Sequence, residues 1–510
     1  MSRRRRGLLA RTVLFLFALN AASFAVYFLL HPPNRSPTAA DPFLPLETLA
    51  IRHKNARSTL KSWPSLPSFL PWRPSPAPPL GSCEAYFGHG FSRSVDVLRS
   101  SPSDVNGRGW FRCHYSETLR SSVCEGGRIR MDPARILMSD GGEGLDAVIG
   151  RGEEEELPRY QPGAFQIDSE GGDGGGDGKR AIDEGFLEKY LPHGAVQYHT
   201  MRALMESMRV VGHEQLDCTQ WIEEPTVLVT RFEYANLFHT VTDWYSAYVS
   251  SRVTGVPNRP NLVFVDGHCK TPLEETWEAL FSSVRYAKNF SSPVCFRHAV
   301  FAPLGYETAL FKGLTEHISC RGTSASDVRE DPDVKKTARL SEFGEMLMAA
   351  FGILVEKDLP RKSSVSHNVL FVRREDYLAH PRHSGKVESR LSNEQEVLDA
   401  IKVWAANQER CKINVVNGLF AHMHVKEQLQ AIQEASVVIG AHGAGLTHLV
   451  AARQNTRVLE IISSMYRRPH FALISEWKGL EYHAINLAGS YARPAMVIDE
   501  LSSIISGLGC

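Results

Sequence analysis

A glycine-rich turn at residues 440–450 holds the residue types best suited to bind an anion. It follows the apolar run 435–439, which is typical of a buried strand, and precedes a segment that can form a helix. A turn from a strand into a helix directs backbone N–H groups and the positive end of the helix dipole to one point. Gly443 and Gly445 lack a Cβ and so permit close approach of a ligand, and His442 adds a ring N–H donor. The turn predicts a phosphate or diphosphate site, although a tight βα turn with a core histidine has the same pattern.

Other predicted strand ends supply cations and a carboxylate. Arg374 follows the apolar run 368–372, Arg390 lies in the polar loop beyond it, and Glu460 lies in the apolar run 457–462. Guanidinium groups bind phosphate oxygens through paired hydrogen bonds, with surface salt bridging as the alternative role. Glu460 can accept hydrogen bonds from ribose hydroxyls or cap a helix. The predicted donor-binding set is Arg374, Arg390, His442, Gly443, Ala444, Gly445, Leu446, Thr447 and Glu460.

A histidine and an aspartate offer acid–base chemistry in the first half of the chain. His239 and Asp243 lie four residues apart within the predicted helix 233–252, so they share one helical face. A hydrogen-bonded His–Asp pair can act as the general base for an acceptor hydroxyl. An ordinary contact on a helix surface gives the same spacing. We take both residues as catalytic candidates.

Strands and helices alternate around these residues and predict an α/β fold. In the first half, strands at 226–230 and 262–265 enclose the helix that carries His239. The second half alternates more regularly and predicts a doubly wound sheet, in which ligands bind at the carboxyl ends of the strands. Its strands are predicted at 368–372, 411–416, 435–439 and 457–462, and its helices at 393–406 and 425–435.

The N-terminus predicts a single membrane anchor. Residues 1–11 contain five arginines and form a predicted cytoplasmic tail, and residues 12–30 carry no charge over 19 positions. That length is close to the ~20 residues of a spanning helix and exceeds the apolar core of most cleaved signal peptides, the competing interpretation. The positive charges on one side predict a type II orientation with the remainder lumenal. Residues 31–82 are proline-rich and predict an extended stem, so removal of residues 1–80 is expected to leave the function of the remainder intact.

Cysteines and charge limit the compartment and the partners. All nine cysteines follow the anchor, and several are expected to pair in an oxidising lumen, with an odd one left over. Asn289 begins an Asn-Phe-Ser sequon and is the predicted glycosylation acceptor. Lys plus Arg and Asp plus Glu both total 57, so no nucleic-acid partner is indicated.

Two acidic segments are not predicted to bind a ligand. The run of glutamates at 153–156 and the glycine–aspartate stretch at 170–178 predict a mobile surface insertion at about residues 151–181. Asp331-Pro332-Asp333 has the pattern of metal-dependent sugar transferases, but it precedes an amphipathic segment. Asp331 as a helix N-cap with Pro332 at the first helical position is the simpler account. No metal site is predicted.

Three segments together resemble the family-61 glycosyltransferases: residues 231–255, 368–383 and 441–450, with 72–91 resembling the start of the catalytic region. The resemblance implies a GT-B-like fold of two Rossmann-like domains. It places an acceptor-side domain at 83–355 and a nucleotide-sugar domain at 356–510. It also implies a Golgi membrane address with the catalytic region lumenal.

The same resemblance implies a reaction. Xylose would pass from UDP-xylose, in β-1,2 linkage and with inversion, to the core β-mannose of protein N-glycans, without a metal or other cofactor. Asp243 or His239 would be the base, and Arg374, Arg390 and the glycine turn would stabilise the departing UDP. The alternatives are a related family-61 enzyme with another donor, such as UDP-N-acetylglucosamine, or a non-catalytic Golgi glycan-binding protein.

Overall fold

Three large β-sheets of seven, six and five strands, a two-stranded sheet, and the helices between them make up the described part of the protein. The computed structural model describes residues 60–69, 72, 91–98, 109–168, 179–194, 196, 198–212, 216–315, 334–353, 366–374 and 390–510. The strands are β1 (Arg93–Leu98), β2 (Trp110–Ser116), β3 (Ser121–Gly127), β4 (Ile129–Met131), β5 (Ile136–Leu137), β6 (Arg159–Tyr160), β7 (Phe165–Asp168), β8 (Lys179–Arg180), β9 (Arg209–Val211), β10 (Gln220–Ile222), β11 (Thr226–Val229), β12 (Asn261–Phe264), β13 (Ser283–Tyr286), β14 (Val294–Phe296), β15 (Ala299–Phe301), β16 (Ser366–Arg373), β17 (Lys412–Leu419), β18 (Val437–Ala441), β19 (Arg457–Ile462) and β20 (Glu481–Asn486).

The helices follow the same alternation. The α-helices are α1 (Glu153–Glu156), α2 (Glu184–Tyr190), α3 (Thr200–Ser207), α4 (Leu237–Val253), α5 (Glu274–Leu280), α6 (Ala309–Thr315), α7 (Val334–Ala350), α8 (Glu394–Ala406), α9 (Val425–Glu434), α10 (His470–Lys478) and α11 (Pro494–Ser506). Short 3₁₀ helices span Pro133–Arg135, Leu145–Ala147, Ala287–Asn289, Gly305–Glu307, Phe420–His422 and Ala444–Ala451. The prediction of an α/β fold is therefore confirmed.

The first half is built on a seven-stranded mixed sheet in the order β1-β2-β3-β15-β11-β12-β13. The strands β15, β11, β12 and β13 are parallel, and α4 and α5 cross over between them as the alternation predicts. The antiparallel strands β1 to β3 extend the sheet on one side, which the sequence did not indicate. Helix α4 begins at the N-cap Asn236, whose side chain accepts a hydrogen bond from the Phe238 N–H.

The predicted insertion at 151–181 is wrong for the part that the structure describes. Strand β7 lies inside a six-stranded sheet of order β10-β14-β4-β7-β9-β8, where Phe165 and Ile167 belong to the apolar core. The acidic run forms α1, and its last residue, Glu156, is fully buried and paired with His268. Apolar burial in the sheet and an internal partner for Glu156 therefore override the solvated character that a charge run usually has. Residues 169–178 lie outside the described part of the chain.

The end of the predicted stem is also part of the folded unit. Leu66 and Trp72 belong to the core around α4, and the Trp72 indole N–H donates to Glu342 Oε1 on α7 at 2.8 Å. The Ser68 N–H donates to Glu345 Oε2 at 2.8 Å, again on α7. Apolar aromatic side chains between the prolines bind this segment to the protein, and the compact unit begins at Leu60. The stem as an extended spacer up to residue 82 is therefore corrected.

The second half contains a five-stranded, wholly parallel sheet in the order β17-β16-β18-β19-β20. Helices α8 and α11 pack on one face, and α9, α10 and the 3₁₀ helix Ala444–Ala451 pack on the other. This is the predicted doubly wound arrangement. The chain leaves β16 toward β17 and then returns past β16 to β18, so the crossovers diverge at the β16–β18 junction. Such a junction leaves a crevice at the carboxyl ends of the two strands.

Helix α7 joins the two halves. Its buried residues Leu340 and Phe343 share one apolar core with α4 and with Leu446 and Leu449 of the 3₁₀ helix Ala444–Ala451. At Gly344 a Cβ would lie 2.1 Å from the Val450 carbonyl oxygen, so only glycine permits this crossing. The predicted domain boundary at 355/356 falls outside the described residues and stays a prediction.

Disulfides link Cys113 with Cys124, Cys218 with Cys295, and Cys411 with Cys510, while Cys269 is a buried free thiol. The expectation that several cysteines pair is confirmed. Within the described ranges, no helix is both long and apolar enough to cross a membrane. The predicted anchor at residues 12–30 lies outside those ranges.

Candidate functional site

The crevice between β16 and β18 brings Arg374 to the glycine turn. Strand β16 ends at Arg373, and β18 ends immediately before His442. A Cβ placed on Gly443 would lie 3.0 Å from Arg374 Nη1 and 3.2 Å from its Cδ. Gly443 has an extended backbone with φ 177°, so it is the close approach of the arginine, and not backbone strain, that favours glycine here. The sequence prediction had placed both groups at strand ends, and the structure places them in contact range.

The backbone of Arg374 is held by the start of the next helix. Its N–H donates to the carboxylate of Glu394, with distances of 3.3 and 3.2 Å to the two oxygens. Glu394 is the first residue of α8 and also pairs with Arg373 Nε at 3.5 Å. Burial raises the pKa of Glu394, against the opposing effect of the hydrogen bond from Arg374. The α8 terminus therefore fixes the chain where Arg374 leaves the sheet.

The turn itself is a 3₁₀ helix, Ala444–Ala451, and its residues face two ways. Ala444 and Gly445 are partly exposed at its N-terminus, where N–H groups have no intrahelical acceptor. Gly445 is required by packing, since a Cβ there would lie 2.8 Å from Val372 Cγ1. The side chains of Leu446 and Thr447 are fully buried, and their place in the donor-binding set stays a prediction.

Glu460 contacts His442 at the crevice, but its own side chain is buried and does not line the crevice. The carboxylate is 0% exposed; Oε1 lies 2.5 Å from His442 Nδ1, and Oε2 accepts a hydrogen bond from the Tyr482 hydroxyl at 2.6 Å. Both oxygens are thus engaged inside the protein, so the expected contact with ribose hydroxyls is corrected. A carboxylate on Nδ1 fixes the orientation of the imidazole and leaves Nε2 as its other polar atom.

Arg390 lies beside the loop that follows β19. Its guanidinium carbon is 3.8 Å from the ring centre of Tyr466, a cation–π contact that fixes the plane of the group. Arg468, in the same loop, is exposed. Sequence reasoning did not identify this loop because it carries no motif.

A third histidine, His470, stands between the two halves. It is the first residue of α10, its ring stacks on Phe238 of α4, and its centroid lies 6.1 Å from that of His442. Burial, followed by the nearby cations and histidines, lowers the pKa of His470 to about 4. No sequence pattern marked this residue, since a histidine after a proline is unremarkable without its spatial neighbours.

His239 faces the same region from the N-terminal turn of α4. Its ring stacks on Tyr306, with centroids 5.0 Å apart and 22° between the planes. Burial, with a smaller effect of Arg468, lowers the pKa of His239 to about 4, so the imidazole is neutral near neutral pH. Its Nδ1 is buried without a hydrogen-bond partner, which leaves Nε2 as the nitrogen for a ligand.

Asp243 has a different environment from His239. The residue is 4% exposed, and Oδ1 accepts a hydrogen bond from the Gly305 N–H at 3.1 Å. Burial raises the pKa of Asp243 well above its ordinary value. Within the described part of the chain no hydrogen bond joins it to His239, so the expected His–Asp pair is not formed. The aspartate anchors α4 to the helix Gly305–Glu307.

A buried ionic network fixes the segment that leads into α4. Arg231 Nη2 donates to Asp266 Oδ1 at 2.7 Å and Nη1 donates to Glu274 Oε1 at 3.2 Å. His268 Nε2 donates to the Arg231 carbonyl oxygen at 2.8 Å, and its Nδ1 lies 3.1 Å from Glu156 Oε2. Each charge here has an internal partner, so the network positions α4 and offers no group to a substrate.

Two further predictions concern positions away from the crevice. Asn289 is exposed beside an open cavity of about 370 Å³, and its Oδ1 accepts from the Tyr286 N–H at 2.9 Å. Its glycosylation stays a prediction. Among described residues, His367, Cys411 and Cys510 cluster as metal ligands would, but the two cysteines form a disulfide. Asp331 and Asp333 lie outside the described residues.

Comparison with known proteins identifies the class. Residues 198–459 match the glycosyltransferase 61 family, a range that contains α4, the sheet junction and the glycine turn. The chain belongs to the glycosyltransferase 61 family, as its resemblance predicted.

Two plant proteins are similar over the whole chain. A β-1,2-xylosyltransferase of Oryza sativa subsp. japonica is 63% identical, covering 99% of this chain and 96% of its own length. A β-1,2-xylosyltransferase of Arabidopsis thaliana is 54% identical, covering 100% of both chains. An EGF domain-specific O-linked N-acetylglucosamine transferase of Gallus gallus is 24% identical, covering 64% of this chain and 55% of its own length.

Proposed function

We propose that this protein is an inverting glycosyltransferase that transfers xylose from UDP-xylose, in β-1,2 linkage, to the core β-mannose of protein N-glycans. The observation that carries the proposal is the identity of 63% and 54% with two β-1,2-xylosyltransferases along essentially the full chains. The crevice supports it, because an arginine and helical N–H groups meet at a sheet junction suited to a nucleotide diphosphate.

The donor would bind to the second half of the molecule. Arg374 against the glycine turn, Arg390 on Tyr466 and the N–H groups of Ala444 and Gly445 would contact the diphosphate. Two guanidinium groups offset the two negative charges of a sugar nucleotide without a metal ion, so we propose a metal-independent reaction. The acceptor would bind on the α4 side, in a GT-B-like arrangement of two halves around one crevice.

His239 is the proposed base. In one in-line displacement, the mannose 2-hydroxyl oxygen forms a bond to the anomeric carbon of xylose while the bond from that carbon to UDP breaks. The hydroxyl proton passes to the Nε2 of His239, and UDP departs as the anion. His239 suits this step because it is neutral and partly exposed, whereas Asp243 is buried and held by Gly305.

The proposed compartment is supported by the disulfides and by the N-glycan acceptor of the proposed reaction. We propose a Golgi membrane protein of type II orientation, anchored by residues 12–30, with Leu60–Cys510 in the lumen. Three disulfides agree with an oxidising compartment.

The direct test is donor selection by the full-length protein in detergent. A defined N-glycan is incubated with UDP-xylose, UDP-N-acetylglucosamine and other UDP-sugars in turn, and the products are weighed by mass spectrometry. The proposal expects addition of a single pentose from UDP-xylose, with the linkage at the mannose 2-hydroxyl read by NMR. An acceptor that lacks this hydroxyl is the matched control and should gain nothing. Faster transfer from another UDP-sugar, or binding of the glycan without transfer from any donor, would replace this proposal with one of the two alternatives.

A further inference from the structure

His470 lies where the two halves of the molecule meet the crevice. Its ring is stacked nearly parallel to that of Phe238, with centroids 5.1 Å apart and 5° between planes. The centroid of His442 lies 6.1 Å away, and His470 is 7% exposed. His470 is thus stacked on the acceptor-side helix and lies close to the histidine of the glycine turn, which is proposed to bind the donor.

Two arginines and two histidines surround His470. His442 comes from the glycine turn, His239 from α4, Arg468 from the loop before α10 and Arg390 from the segment that precedes α8. Each lowers the pKa of His470, after the larger effect of burial, to about 4. The carboxylate of Glu460, which lies against His442, is engaged by His442 and Tyr482. In the free protein, His470 is therefore a neutral imidazole held among cations.

We propose that His470 binds the diphosphate of the donor and takes up a proton from solvent when the diphosphate enters the crevice. The inference rests on the function proposed above and names a further donor-binding residue in the same site. In its neutral form the imidazole carries one N–H, whereas the imidazolium carries two and bears a charge that the diphosphate attracts. The proton comes from water and leaves with the product, so the cycle balances.

Electrostatics gives the expected size of the effect. A single opposite charge at ~4–6 Å shifts a pKa by about 1 to 3 units, and a sugar nucleotide brings two. The resulting shift would carry His470 from about 4 to near or above neutrality. Donor affinity should therefore increase as the pH falls from neutral toward 5, because binding is coupled to proton uptake.

Calorimetry measures this proton directly. Full-length protein in detergent is titrated with UDP-xylose near pH 6.5, in two buffers of different ionisation enthalpy. UDP-xylose is chosen because its diphosphate is a diester and does not itself titrate in this range. The expected uptake is roughly half to one proton per bound donor. Uridine, which lacks the diphosphate, should bind with no uptake.

Variants assign the proton to its residue. His470→Gln should lose the uptake and bind UDP-xylose at least tenfold more weakly, while His483→Gln, on β20 and paired with Glu481 and Glu500, should retain both. Binding of UDP-xylose by the wild type without proton uptake would overturn the inference and leave the proposed function intact. Equal proton uptake with uridine, or full proton uptake by a folded His470→Gln protein, would also overturn the inference. If UDP-xylose does not bind at all, the proposed function fails with it. The comparison of UDP-xylose with uridine needs no variant, so a wild-type protein without diphosphate-dependent uptake would overturn the inference even if His470→Gln does not fold.

Discussion

Arg374 and Gly443 approach each other at the ends of two neighbouring strands, and the approach depends on the missing Cβ. A methyl group on Gly443 would lie 3.0 Å from Arg374 Nη1. Two segments separated by about 70 residues of sequence thus form one surface, because parallel strands end at the same edge of a sheet.

Gly443→Ala should weaken donor binding with little loss of stability. The added methyl group meets the end of the flexible Arg374 side chain, so the arginine can move aside at little cost to stability. The displaced guanidinium is then no longer placed to contact the diphosphate. Loss of a charge-assisted contact worth about 1.5–3 kcal/mol corresponds to at least tenfold in affinity. Calorimetric titration with UDP-xylose measures this. The control is Gly489→Ala, where a Cβ would meet nothing within 4 Å, and equal affinities in the two variants would count against the contact.

Glu460→Gln should lower kcat/KM at least tenfold. The neutral amide removes the negative charge beside His442 and no longer fixes which imidazole nitrogen carries the proton, and loss of a charge-assisted hydrogen bond costs about 1.5–3 kcal/mol. Tyr482→Phe removes one of the two bonds and should have the smaller effect. Steady-state kinetics would show this order. Glu481→Gln, on the same strand as Tyr482 but half-exposed, is the control, and a loss as large as that of Glu460→Gln would argue against the role of His442.

Removal of residues 1–59 should preserve a folded, active protein, whereas removal of residues 1–80 should not. The shorter deletion ends where the compact unit begins, and the longer one takes away Leu66, Trp72 and the hydrogen bonds to Glu342 and Glu345. Loss of a buried Trp side chain alone costs about 3–5 kcal/mol. Thermal unfolding and xylose transfer of the two fragments are the measurements. Equal melting temperatures of the two fragments would show that residues 60–80 do not stabilise the fold and act only as a spacer.

Stability should fall with acid over the range set by the buried histidines. The pKa values of His199, His239, His448 and His470 are lowered from 6.5 to about 4, by burial first. Between pH 6.5 and 4 these histidines are protonated in the unfolded protein but largely neutral in the folded protein. The contribution to stability is therefore complete above pH 6.5 and is lost as the pH falls toward 4, by at most about 1.4 kcal/mol per pH unit for each histidine.

Chemical denaturation at a series of pH values tests this prediction, with no donor present. His448 is fully buried, with Nε2 2.7 Å from Gln428 Oε1, so His448→Gln keeps a donor there and removes one titrating group. The slope of stability against pH should become shallower in this variant. A slope identical to that of the wild type would show that His448 does not contribute.

The second half of the fold was predictable because its signals are local. Apolar runs between polar breaks gave β16, β18 and β19, and periodic apolar positions gave α8 and α9. The antiparallel strands β1 to β3 and the six-stranded sheet escaped prediction, because strands such as β4 and β9 have three residues each and pair across long sequence separations. Such pairing is specified by tertiary contacts that no short window contains.

The site was predictable where functional residue types directly follow a predicted strand, as at Arg374 and the glycine turn. Roles that depend on burial could not be predicted from the sequence. Glu460 and Asp243 look available in the sequence, yet each is enclosed and hydrogen-bonded inside the protein. His470 lacked any pattern, because its neighbours Phe238 and His442 come from distant parts of the chain. The charge run at Glu156 misled for the same reason, since its partner His268 is remote in sequence.

The division of labour between His239 and Asp243 is the central claim of the mechanism. His239→Gln should reduce the rate of xylose transfer at least a hundredfold while UDP-xylose binds normally, since the base is lost and the donor site is not. Asp243→Asn should transfer within a few-fold of the wild-type rate, because the amide oxygen can still accept from the Gly305 N–H and burial already raises the pKa of the carboxyl.

The most direct measurement is the single-turnover rate of xylose transfer for these two variants, with calorimetric donor binding on the same samples. We expect an inactive His239→Gln protein that binds UDP-xylose as the wild type does, beside an active Asp243→Asn protein. A folded, donor-binding Asp243→Asn protein that has lost transfer, together with a His239→Gln protein that retains it, would contradict the assignment and make the aspartate the base.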